Sequence, residues 1–356
     1  MSTLFSPFQL KSVTLRNRIG ISPMCQYQAS EGVAGDWHLV HYGARAAGGA
    51  GLIIVEAAAV AANGRITPHD LGLWADWQIE PLAHINRFIK AQGAVPGLQI
   101  SHAGRKASCA RPWEGGAHLA AEAGGWPLLA PSALPFGGAL STVPAEMTGR
   151  EIGEAQEAFA AAAGRARQAG VEWLEIHAAH GYLAHSFYSP LSNRRTDGHG
   201  GSFDNRVRFL LETVQAVRRV WPEHLPLTVR ISATDWVDGG WTLEDSVELA
   251  RRLKAAGVDL IDASAGGAVP GTAIPVSKPG FQVPLGERIR AEAGIATASV
   301  GLIADPMLAE AIVSKGRADI VLIGRESLRD PHWPLHAAQT LGVRQSLGPP
   351  QYSRAW

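Results

Sequence analysis

The chain has 356 residues, 46% of them apolar and 18% charged, with 32 basic side chains balanced by 32 acidic ones. That composition supports a large core and argues against disorder, and a net charge of zero leaves no broad basic field for nucleic acid or an acidic membrane. Two cysteines, Cys25 and Cys109, are too few for a disulfide framework or a four-cysteine metal site.

The opening MSTLFSPFQL has no basic segment leading into an apolar run, so no export signal is read there. The longest apolar stretch, 51–62, is interrupted by Glu56 and is too short to span a bilayer. A soluble, cytoplasmic protein is expected. Apolar runs predict eight strands, at Arg18–Ser22, Gly51–Glu56, Pro96–Ser101, Val171–His177, Leu227–Ser232, Val258–Ser264, Ala296–Val300 and Asp319–Ile323. Helical patterns separate them. Thr148-x-x-Glu151 reads as a capping box, and the helix behind it places Ile152, Ala155, Phe159, Ala162 and Ala166 on one face. Asp204–Trp221 is amphipathic, and Thr242-x-x-Asp245 opens another helix. Asp305-Pro306 and Asp330-Pro331 each set a capping carboxylate before a proline suited to a first turn.

Eight strands alternating with helices predict a single closed (β/α)₈ barrel covering residues 1–356, of α/β class, rather than an open sheet. Two stretches break the rhythm. Arg105–Pro144, rich in Gly, Pro and Trp, follows the third strand, and Gly181–Gly201 follows the fourth. Both are expected at the C-terminal face, where active sites of this fold lie. In the excursion, Trp113, Trp126 and Phe136 are candidates either for the pocket rim or for packing within the loop.

Strand parity separates barrel interior from helix-facing positions. Leu98 and Ile100, Leu174 and Ile176, and Leu227, Val229 and Ile231 share the apolar parity. Gln99, His177 and Arg230 then point inward, close to the C-terminal ends of their strands. Buried polar groups of this kind need partners. One reading is an internal network, with Arg230 against Glu175 as an example; the other is a planar, polar ligand bound across the mouth. At the ends of the last two strands, Gly301 and Gly324-Arg325 fit a phosphate site, with glycine backbones admitting close approach and a guanidinium fork beside them. A lyase or aldolase acting on a phosphorylated substrate is the competing barrel chemistry. It would want a Schiff-base lysine inside the barrel, and the strand runs contain none.

Five segments in order, NRIGISPMCQY (17–27), SHAGRKA (101–107), EIHAAHGYL (175–183), SPLSNRRTDGHGGSFDNRVRF (189–209) and the ending QYSRAW (351–356), resemble the Old Yellow Enzyme family. They are most similar to its bacterial subgroup of short ene-reductases and xenobiotic reductases. The resemblance implies an FMN enzyme that consumes NADPH or NADH and reduces activated C=C bonds of enones or nitro compounds. It also implies binding of phenolic ligands. By the same resemblance Ser22, Pro23, Met24 and Cys25 cradle the flavin ring, with Ala57 and Gln99 as further contacts and Arg230 beside the N1 and C2 carbonyl edge. Gly301, Gly324 and Arg325 hold its phosphate.

His177 and His180 are implied to bind the substrate's oxygen and Tyr182 to donate a proton. On a regular strand i and i+3 face opposite ways, so the two histidines converge only if the strand ends at His177 and turns. A metal is the other reading of such a pair, but no third ligand is evident nearby. Cys25 replaces the Thr of other branches and is implied to tune the flavin, and Tyr27 is a second substrate contact. Arg354, in a tail at about 349–356, is implied to reach the neighbouring site of a homodimer or homotetramer. Relatives sharing this barrel that carry an iron–sulfur cluster and further nucleotide domains need more cysteines and more chain. His199 stands where Tyr is expected in GHGG.

Overall fold

In a computed structural model, which describes residues 2–275, 277–344 and 347–356, the eight runs form a closed barrel of parallel strands in sequential order. They are β1 (Ile19–Ile21), β2 (Leu52–Ala59), β3 (Val95–Ser101), β4 (Trp173–Ala178), β5 (Leu227–Ser232), β6 (Leu260–Ser264), β7 (Ala296–Ser299) and β8 (Ile320–Ile323). The helices that cover them are α1 (Asp36–Ala47), α2 (Ile79–Ala91), α3 (Gly149–Gln168), α4 (Phe203–Arg218), α5 (Leu243–Ala255), α6 (Val283–Ala293), α7 (Pro306–Ser314) and α8 (Trp333–Thr340).

The parity argument holds along the wall. Leu98, Ile100, Leu174, Ile176, Val229 and Ile231 join one buried cluster with the helices. Leu52, Ile54, Val95, Trp173, Leu260, Ile320 and Leu322 form a separate cluster that fills the barrel's lower interior. Phe8, Val13 and Leu15 belong to that second cluster and come from an antiparallel hairpin, Phe8–Leu10 with Val13–Leu15. This hairpin caps the N-terminal end and was not anticipated; its two strands are three residues each, too short to show a period.

The boxes at Thr148/Glu151 and Thr242/Asp245 form as read, each hydroxyl accepting the N–H three residues on. Asp305 Oδ1 accepts Met307 N–H at 3.0 Å and starts α7. The other Asp-Pro pair is displaced: α8 begins at Trp333, with Asp330 Oδ1 accepting the His332 N–H at 2.9 Å just ahead of it. The Ser202 hydroxyl caps α4 by accepting the Asn205 N–H, and the helix ends at Arg218, three residues short of the predicted Trp221. β2 runs past Glu56 to Ala59 because register with β3 shifts between Val55 and Ala58. The extra residue turns Glu56 toward α1, where Tyr42 Oη donates to it at 3.0 Å, and leaves Ala57 facing the mouth.

Candidate active site

Above the packed layer, at the C-terminal ends of the strands, lies a cleft of about 650 Å³. Ser22, Pro23, Met24 and Cys25, continuing β1, line one side together with Ala57 and Tyr27. Gln99, His177 and Arg230 rise from the strand ends below it, and His180 and Tyr182 close over from the loop after β4. Gly301, Gly324 and Arg325 line the far end, after β7 and β8. Arg354 is exposed in the C-terminal segment and does not line the cleft of its own chain.

The floor holds four buried polar side chains, Gln99, Glu175, Arg230 and Asp262, joined by one hydrogen bond and one ion pair. Gln99 Nε2 donates to Glu175 Oε1 at 2.8 Å, which leaves the amide oxygen of this cleft-lining residue free to accept. Arg230 does not pair with Glu175 as in the example drawn from sequence. Register places it beside Asp262 on β6, with Nε 3.0 Å from Oδ2. On its other side Nη1 reaches Ser22 Oγ only at a long 3.4 Å, so the outer edge of the guanidinium retains donor capacity toward the cleft. Burial, with Asp262 close by, raises the Glu175 carboxyl to about 8, and burial raises Asp262 as well. Asp262 carried a sequence signal that was not used: it shares the inward parity of β6 with Ser264.

The two histidines converge, but not by the strand ending at His177. β4 continues to Ala178, and His180 then adopts a left-handed conformation with φ +60°. Three neighbours hold it there. Ser232 Oγ at the end of β5 accepts its N–H at 2.9 Å, and Lys106 Nζ donates to its carbonyl at 2.8 Å. Ser264 Oγ at the end of β6 sits 2.6 Å from ring Nε2. Gly267 packs against this turn so tightly that a Cβ there would lie 2.6 Å from His180 Cα, and one at Gly181 would lie 2.0 Å from Gly267 O. The strain of a left-handed histidine is thus offset by contacts from two strand ends and from the turn that follows β3. Lys106, Ser232 and Ser264 were not singled out from sequence, although Lys106 lies inside the SHAGRKA motif.

The rings of His177 and His180 are 5.1 Å apart, and those of His177 and Tyr182 are 5.0 Å apart, both edge to face. Burial first, then the Arg230 charge, holds both imidazoles well below the usual histidine range, so they stand neutral. Burial pushes the Tyr182 phenol well above its ordinary value, so it keeps its proton. Lys106 Nζ lies 5.1 Å over the Tyr182 ring and 4.4 Å over that of Phe136, and burial lowers its ammonium to about 8. Cys25 is partly exposed, yet burial and the Asp70 and Glu56 carboxylates raise its thiol well above the ordinary value.

None of the three excursion aromatics lines the cleft; each packs against another side chain. Trp113 meets the Tyr27 ring edge-on at 5.8 Å, Phe136 sits under Lys106, and Trp126 carries the Arg65 guanidinium at 4.9 Å. His199 packs on Phe187 and stands 3.5 Å from Glu212, away from the cleft lining. Among the described residues no cluster of metal-ligating side chains is present, and no helix is long and apolar enough to cross a membrane.

This donor set fits FMN. Gln99 Oε1 and the free edge of Arg230 suit a heterocycle rim that offers an N–H and carbonyls and gains negative charge on reduction. Gly324 leaves nothing within 3.8 Å of a would-be Cβ, its nearest neighbours being Met24 and Ser22 at 3.9 Å, and Gly301 stands at φ +121°. Gly324 thus admits a phosphate close to backbone beside Arg325, whereas at Gly301 a Cβ would meet Gln282 and Phe281 at 3.1 and 3.2 Å, so its glycine answers to the positive φ and to that packing.

The sequence agrees. Residues 3–343 match the NADH:flavin oxidoreductase / NADH oxidase family. The chain belongs to this family. It is an FMN-dependent NAD(P)H oxidoreductase of Old Yellow Enzyme type. It is 49% identical over 355 residues to an NADPH dehydrogenase of Geobacillus sp. (strain WCH70), covering 99% of this chain and 98% of that one. The fold is similar to morphinone reductase in complex with tetrahydroNAD, with TM-score 0.80 and 28% identity, covering 99% of this chain and 94% of that one. It is also similar to a 2-naphthoyl-CoA reductase, with TM-score 0.87 and 28% identity; 95% of this chain is covered, but only 52% of that longer protein. The lyase alternative falls with the family match.

Proposed function

We propose that the enzyme is an ene-reductase, using NADPH to reduce the activated C=C bond of α,β-unsaturated carbonyl or nitro compounds. The observation that supports this reading most directly is the convergence of two neutral imidazoles and one protonated phenol at a single end of the cleft. FMN, when bound, supplies the hydride equivalent that nicotinamide gives and the acceptor's β-carbon receives. His177 and His180 hold the acceptor's oxygen by N–H donation and draw electron density from the conjugated bond. Tyr182 gives its proton to the α-carbon. Arg230 and Gln99 grip the pyrimidine edge, with Ser22, Pro23, Met24, Cys25 and Ala57 along the ring and Gly301, Gly324 and Arg325 at the phosphate. Tyr27 contacts the substrate, and Arg354 completes the site of a neighbouring subunit. Reductant and acceptor occupy the same cleft in turn, which gives ping-pong kinetics, and phenols bind as carbonyl mimics.

The test is optical. The flavin of the purified enzyme is bleached anaerobically with NADPH and then mixed with cyclohexenone. Reoxidation at the rate of steady-state turnover, with the saturated ketone as product, supports the reading. A reduced flavin that only oxygen reoxidises overturns it.

A further inference from the structure

Each neutral imidazole carries one N–H, and where that proton sits decides whether the ring offers the cleft a donor or a lone pair. For His177 the answer follows from one bond. Its Nδ1 accepts the Ala179 backbone N–H at 3.2 Å, so its proton is on Nε2. For His180 the matter turns on Ser264. The backbone of His180 is fixed at both its N–H and its carbonyl, and ring Nε2 sits 2.6 Å from Ser264 Oγ. That hydroxyl has one proton and two acceptors within reach: His180 Nε2 at 2.6 Å, and Gln282 Oε1 at 3.3 Å. Gln282 cannot present its nitrogen instead, because its Nε2 is committed to the Val300 carbonyl at 3.1 Å.

The two contacts differ in kind. A separation of 2.6 Å is shorter than an N–H donor to oxygen usually gives and marks the stronger of the two contacts, whereas 3.3 Å is long for a hydroxyl bond, so the one hydroxyl proton is assigned to the shorter contact. Among the described residues no protein group bonds Nδ1 of His180, and the ring lines the cleft.

We infer that Ser264 is a positioning residue. Its hydroxyl donates to His180 Nε2 and holds that ring in the Nδ1–H form, so that the cleft presents two N–H donors, one from each histidine, to a substrate oxygen. The opposite tautomer would set a lone pair beside the His177 donor and repel that oxygen. The inference rests on the function proposed above for its consequence, but the tautomer itself stands or falls independently of any turnover.

The experiment is ring nitrogen NMR on flavin-loaded enzyme labelled with ¹⁵N-histidine, with His180 signals assigned by difference from His180→Asn. Ser264→Ala and Ser264→Thr are compared, and the dissociation constant of p-hydroxybenzaldehyde is measured for each. The expected result is a protonated Nδ1 and an unprotonated Nε2 on His180 in the wild type and in Ser264→Thr. Ser264→Ala should move the proton toward Nε2 and weaken the phenol about three- to tenfold, the loss of one net hydrogen bond. A wild-type signal with the proton on Nε2 overturns the assignment, as does a Ser264→Ala protein with unchanged tautomer. An enzyme with the expected tautomer that neither binds phenols nor reduces enones leaves the role of Ser264 in place and removes the proposed function instead.

Discussion

His177 Nδ1 accepts the N–H of Ala179, two residues further along the same turn, at 3.2 Å. The strand end therefore sets the tautomer of the ring before any ligand arrives, leaving Nε2–H as the one donor of a cleft-lining ring that burial and Arg230 keep neutral. A neutral donor held in place binds a carbonyl without losing a proton to it. His177→Ala should weaken phenol binding and slow enone reduction about ten- to a hundredfold, the range for a hydrogen bond to an oxygen that gains charge. FMN content should be retained, since Arg230, Gln99 and the phosphate end are untouched. Phenol titrations and stopped-flow reoxidation of the reduced enzyme check this; unchanged values remove His177 from the substrate site.

Tyr182 packs its ring edge-on against His177 at 5.0 Å, and burial keeps the phenol protonated throughout the working pH range. A proton donor matters only where a proton is transferred. Tyr182→Phe should slow reoxidation by an enone about a hundredfold or more, while leaving flavin reduction by NADPH within about twofold. Rapid-mixing measurements of the two half-reactions separate them. Equal losses in both would assign Tyr182 to packing.

Much of this was legible in the chain because the barrel has strict parity. Gln99, Glu175, His177 and Arg230 stand out as polar residues opposite Leu98, Ile100, Leu174, Ile176, Val229 and Ile231, and all four line the interior. Asp262 was missed because an acid inside LIDAS is one residue in a five-residue run, and its partner is fixed by cross-strand register, which no single strand reveals. The same holds for His180. Its left-handed turn depends on Lys106 in the turn after β3 and on Ser232 and Ser264 at the ends of β5 and β6, which only the closed barrel brings together. Periodicity has nothing to say about a residue of that kind.

The buried carboxyls under the mouth predict a pH dependence of stability. Glu175 has an ordinary value of 4.5 when exposed and about 8 in the fold. Across that window the unfolded chain releases the proton and the folded chain keeps it. Stability from this group is therefore full below about 4.5 and is lost as the pH rises through about 8. Glu175→Gln cannot release the proton in either state and keeps a side-chain acceptor for Gln99. Melting temperatures of wild type and Glu175→Gln, taken from pH 5 to 8.5, should diverge, the wild type falling more steeply as the pH rises. Parallel curves would show that Glu175 is ionised in the fold.

The C-terminal segment packs on its own chain through Tyr352 against His332, with ring centroids 5.9 Å apart, and through Trp356 against His336 at 4.9 Å, leaving Arg354 exposed between them. Aromatic contacts to α8 hold the segment while nothing within the chain engages the guanidinium in an ion pair among the described residues. If Arg354 completes a neighbouring cleft, removing it should act on substrate affinity and leave folding alone. Arg354→Ala, which keeps both aromatic anchors, should raise the KM for an enone several-fold with an unchanged melting temperature, and deletion of Ser353–Trp356 should do the same or more. Mixing Arg354→Ala with Tyr182→Phe decides between a residue acting in its own subunit and one acting across an interface. In a mixed oligomer one cleft can combine an intact Tyr182 with an arginine from the other chain, so affinity at the active clefts should recover toward wild type. Recovery absent at every mixing ratio, in an oligomer shown to exchange subunits, would place Arg354 outside the neighbouring site.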